Sequence, residues 1–107
     1  MVYYSEIAKN DLKNALWGLA NWEKHPLLYE HAASYVSDIR KEADTICTKF
    51  YHRKCTSRQH LKYGENIYVY KRNAQTQWYI IYNWDEINRI AYVTKILNNY
   101  LTHQLEE

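Results

Sequence analysis

Glycine and proline are nearly missing from this chain of 107 residues, which has two Gly and a single Pro. Long flexible linkers are thereby excluded, and so is a Gly-rich phosphate cradle, because Gly18 and Gly64 stand alone. Phenylalanine occurs once and cysteine twice, at Cys47 and Cys55. Two thiols make no disulfide framework, and a domain of this size folds without one. No apolar run approaches the roughly 20 residues that a membrane helix needs. The first residues, Met1-Val2-Tyr3-Tyr4-Ser5-Glu6, lack a basic region followed by an apolar stretch, so they do not read as a signal peptide. The expectation is a cytoplasmic protein with reduced cysteines and no membrane association.

What the chain has instead is tyrosine: 12 Tyr and 4 Trp, side chains whose apolar body and polar tip suit half-buried sheets and interfaces. Hydrophobic residues at 47% and charged residues at 24% fit one soluble globular domain spanning residues 1–107. The net charge of +2 is unevenly spread: Lys49–Arg72 carries seven Lys and Arg against Glu65 alone, a net +6, leaving −4 for the rest. Such a basic segment, with Arg53, Lys54, Arg58 and Lys62 at its centre, favours a polyanion or an acidic partner. The plainer alternative is a solvated charged loop.

Val2–Tyr4 is β-prone and suits an edge strand. Ser5 is a good N-cap, after which Ile7, Ala8, Leu12, Ala15, Leu16, Leu19 and Trp22 recur at helical spacing until His25-Pro26 stops the helix. Tyr29, Ala32, Val36, Ile39, Ala43 and Ile46 mark a second helix, so the two form a hairpin. Cys47–Ser57 has no period and reads as a loop, and Arg58–Tyr63 reads as a short strand ending at Gly64. Ile67–Arg72 alternates, with Ile67, Val69 and Lys71 opposite Tyr68, Tyr70 and Arg72. Thr76–Trp84 is dense in aromatic and β-branched residues, and Arg89–Leu97 alternates again. The pattern predicts an α+β fold, β-α-α-β-β-β(-β), with the helical hairpin on one face of an antiparallel sheet and the other face open.

Four segments stand out together: Tyr4-Ser5-Glu6-Ile7-Ala8-Lys9-Asn10-Asp11-Leu12; His31–Ile39; Tyr68-Val69-Tyr70-Lys71-Arg72-Asn73 followed by Trp78-Tyr79-Ile80-Ile81-Tyr82; and Ile90–Leu97. In this order they resemble the opening strand and helix, the second helix, the two central strands and the last strand of the RelE/ParE toxin superfamily, so the likeness covers about residues 2–98. The resemblance implies the toxin half of a toxin–antitoxin pair. Its partners would be a cognate antitoxin and either DNA gyrase (ParE-like members) or the ribosome and its mRNA (RelE-like members), with no cofactor and no metal. A dimer or a toxin–antitoxin hetero-oligomer is a further expectation.

RNA cleavage needs a base, cations for the charged phosphorane and an acid. The family's paired lysines fall near Tyr68 and Tyr70, its strand arginine on Tyr79, its arginine past the last strand near Asn98 or Asn99, and its C-terminal tyrosine near Tyr100. Tyrosine cannot replace a guanidinium fork at a phosphate. Lys71, Arg72 and Lys95 therefore stand as the compensating cations of a catalytic set with Tyr79, while Arg53, Lys54, Arg58, Lys62, Tyr68 and Tyr70 form a nucleic-acid or target-binding set. The resemblance thus implies target binding first, RNA cleavage second and an inactive binding module third. Tyr68, Tyr70 and Tyr79 suit base stacking, antitoxin anchoring or plain cross-strand packing. Cys47, His52, Cys55 and His60 lack the spacing of a standard zinc site, and His52 or His60 has a pKa suited to a general base.

Overall fold

The computed structural model describes residues 1–20 and 29–99. Ser5 starts helix α1 (Glu6–Ala20) as expected: its Oγ accepts from the Ala8 amide at 3.0 Å. The same residue ties the helix to the sheet, its hydroxyl donating to the Thr94 carbonyl at 3.1 Å. Ala8, Leu12 and Ala15 form the buried stripe of α1, while Ile7 is exposed. Helix α2 (Tyr29–Asp44) buries Ala32, Ile39 and Ala43, and a 3-10 turn over Thr45–Thr48 buries Ile46. Tyr29 is exposed and does not belong to the stripe. Small residues at these positions let both helices lie close to the sheet and to each other. The His25-Pro26 stop lies outside the described residues.

Four strands follow the expected segments: β1 (Val2–Tyr4), β2 (Asn66–Lys71), β3 (Gln77–Asp85) and β4 (Ile90–Asn98), in the sheet order β1-β4-β3-β2. β2, β3 and β4 are an antiparallel meander, but β1 runs parallel to β4, so the sheet is mixed. The fold is α+β, with α1 and α2 on one face.

Besides the parallel β1, which corrects the expected antiparallel sheet, three features depart from the sequence reading. Arg58–Leu61 is a short helix, α3, and not a strand; Ser57 caps it by accepting from the Gln59 amide. The far face is not open throughout. Cys55 packs there with Ile67, Ile81 and Leu97, joined by Tyr63, Val69 and Tyr79, so the segment between α2 and β2 forms a second, smaller core. Finally, the alternation in β4 breaks: Lys95 opposes Ile81 and Val93 opposes Tyr82, leaving Thr94 as the extra residue of a bulge. Val93 and Ile96 consequently share the helix-side core, and Leu97 turns to the far face.

Candidate functional site

Arg72 sits on the helix side, at the end of the row that includes Tyr68 and Tyr70. Its guanidinium meets Asp38 of α2 at 2.8 Å and lies 3.8 Å over the Tyr35 ring. Tyr68 donates to Glu42 at 2.8 Å, and burial together with that carboxylate raises its pKa. Tyr70 packs on the same core. Tyr68 and Arg72 hold α2 to the sheet and Tyr70 lies on the same side, so Tyr68 and Tyr70, expected in the target-binding set, turn towards the helices. The physical reason is that α2 presents Glu42 and Asp38 as partners for hydroxyl and guanidinium groups.

Lys71, next along β2, is exposed and by strand alternation belongs to the opposite face from Arg72. Lys95 is already paired: its ammonium meets Asp11 of α1 at 2.9 Å, with side-chain exposures of only 17% and 12%. Asp11 also accepts from the Ile96 amide at 2.9 Å, on β4 beyond Val93, where the pairing with β1 has ended. Tyr79 lies on the far face, its hydroxyl donating to Gln77 at 3.3 Å. Arg72 is therefore separated from the rest of the expected catalytic set: Lys71, Tyr79 and Lys95, which opposes Ile81, belong to the far face, where the Lys95 ammonium also lies 5.3 Å over the Tyr63 ring. Tyr100 lies outside the described residues.

Arg53, Lys54, Arg58 and Lys62 are all exposed on one segment, Lys49–Lys62, which leads from α2 past the start of β2 to the far face. None has an ion pair among the described residues. The backbone here is pinned at close intervals. Arg89 donates to the carbonyls of Cys47 and Lys49 at 3.2 and 3.4 Å. The Arg53 carbonyl accepts from the Ile67 amide at 3.0 Å, and the Cys55 amide donates to the Glu65 carbonyl at 2.8 Å. Asn66, only 2% exposed, bridges the corner: its amide group donates to the Arg53 carbonyl and its oxygen accepts from Trp84.

His52 is the central anchor. Its Nε2 contacts the Lys49 carbonyl at 3.1 Å, and because a carbonyl only accepts, Nε2 carries the proton. Nδ1 then accepts from the buried Tyr82 hydroxyl at 2.8 Å. Burial holds the His52 pKa below its ordinary value and pushes Tyr82 up to about 12. With His52 and Cys55 turned inward, the residues between and before them turn outward. Phe50 is 98% exposed and Tyr51 80% exposed. Sequence reasoning passed over this pair, although the single Phe of the chain next to a Tyr in an aperiodic basic stretch was a usable signal.

Further along, the His60 ring lies 5.3 Å from that of Tyr79. Burial and the nearby Arg53 guanidinium hold His60 below its ordinary pKa, so it is neutral at pH 7. Cys47, His52, Cys55 and His60 are each engaged separately: Cys47 with Met1, Cys55 in the far-face core. Among the described residues no group of three or more His, Cys, Asp or Glu is placed to hold a metal. No helix of the described residues is long and apolar enough to cross a membrane. A scan against protein-family models matches none, and searches among curated proteins and among solved structures find no match.

Proposed function

We propose that this protein is the toxin half of a toxin–antitoxin pair of the RelE/ParE type, one that acts by binding a macromolecular target and is silenced by a cognate antitoxin. The observation that carries the reading is the pinned Lys49–Lys62 segment, whose four central cations have no counter-charge among the described residues. Fixed, unneutralised charge on a folded scaffold is what electrostatic recognition of an anionic or acidic surface requires. The order strand, helix, helix, three strands of the sheet is the order that the family likeness implies.

A ribosome-dependent RNA endonuclease is the second reading. His60, neutral and beside both Tyr79 and Arg53, favours it, since a base next to a cation is half of what phosphodiester attack needs. The commitment of Arg72 to Asp38 on the helix side and of Lys95 to Asp11 weighs against it, because a phosphorane needs free cations at one point.

Induced expression without antitoxin tests the proposal. Growth should stop, and purified protein should inhibit gyrase supercoiling at micromolar concentration. Growth arrest with normal supercoiling and shortened mRNA would transfer the case to the endonuclease. Unimpaired growth would reduce the chain to a binding module without toxicity.

A further inference from the structure

We infer that the segment Lys49–Lys62 binds an unpaired nucleic-acid strand, with Phe50 and Tyr51 stacking on its bases and Arg53, Lys54, Arg58 and Lys62 on its phosphates. The inference rests on reading this segment as the target surface and names what it takes.

Three observations point to this ligand. First, the two rings are bare, at 98% and 80% exposure, on a backbone held by Arg89, His52, Asn66 and Glu65. A loop pinned in this way presents its rings with little further loss of freedom on binding. Second, the cations follow the rings along the chain, as a charged groove follows a strand beside its stacking platforms. Third, the chemistry of the rings separates the candidate polyanions. Bases of a duplex are already stacked and present no faces, whereas unpaired bases stack on aromatic side chains whatever their sequence. An acidic peptide would meet the charges, but it would have to bring a pocket for each bare ring.

Fluorescence anisotropy on the full chain tests this, with labelled oligouridylate and oligothymidylate of about twelve nucleotides and a duplex of equal length. Both single strands should bind at least about tenfold tighter than the duplex, with a log–log salt slope of about −3 for four contacts at roughly −0.7 each. Phe50→Ala with Tyr51→Ala should weaken binding about tenfold or more while leaving the salt slope unchanged. Arg53→Gln with Lys54→Gln should reduce the slope to about −1.4. All four side chains are exposed, and circular dichroism verifies that each variant folds. Duplex binding as tight as that of the single strands, an aromatic variant that binds like wild type, or no binding below about 100 µM overturns the inference. Growth arrest without strand binding removes this inference and leaves the toxin reading; strand binding without growth arrest does the reverse.

Discussion

His52 lies face to face with Trp84, ring centroids 3.8 Å apart and planes 17° from parallel, while its two nitrogens are spent on Tyr82 and Lys49. The neutral ring fills every role that this site offers. The folded-state pKa is below the ordinary value through burial, and His60 is shifted in the same direction. The unfolded chain therefore binds protons that the folded chain refuses. Stability is full above the unfolded value of about 6.5 and is lost as pH falls from there towards the lower folded values. Urea midpoints measured at about pH 7.5 and 5.5 should show the loss. His52→Phe should shrink the difference, and adding His60→Phe should shrink it further.

Asp11→Ala strands two groups at once, the Lys95 ammonium and the Ile96 amide. Removing one partner of a mostly buried pair costs about 3 kcal/mol. Pairing Asp11→Ala with Lys95→Met should recover part of that, because no buried charge is then left over. Equilibrium urea unfolding of both variants checks the difference.

Gly64 is placed where a side chain has no room. A Cβ there would stand 3.0 Å from Ile81 Cγ2 and from Thr94 Oγ1, and 3.2 Å from the Tyr82 carbonyl. Gly64→Ala should cost about 2 kcal/mol by overpacking, since the bulge at Thr94 holds one of those atoms in place. A lowered thermal midpoint is the readout.

Neighbours on β2 should behave differently. Arg72→Ala loses the Asp38 contact and the Tyr35 ring contact, and should destabilise by about 1–2 kcal/mol. Lys71→Ala should stay within about 0.5 kcal/mol, as an exposed substitution does. Denaturation curves distinguish the two; equal losses would contradict the helix-side assignment of Arg72.

The helices, the three meander strands and the opposition of Ile67 and Val69 to Tyr68 and Tyr70 were legible because their periods are strong. Which face the helices cover was not. Both faces of β2 and β3 carry apolar bodies, so alternation shows two sides without showing which is inside. Arg58–Leu61 reads equally as strand or helix over so few residues, and the Ser57 cap decides. The bulge shifts Val93 and Ile96 to one face, which no period-two count can anticipate. Of the candidate site, the four loop cations were legible from charge alone. The outward pair Phe50 and Tyr51 depends on His52 and Cys55 turning inward, a choice made by Trp84, Tyr82 and the far-face core.

The parallel pairing of β1 with β4 also constrains how the chain acquires its shape. Val2 meets Ala91 and Tyr4 meets Val93, and the buried stripe of α1 closes on the same late strand. While the ribosome is extending the polypeptide, β1 lacks its pairing strand and α1 has only α2 to pack on until Ile90–Asn98 has been made. Acquisition of the native state is thus a late, nearly all-or-none event dominated by contacts distant along the chain, and refolding should be slow for a protein of this size.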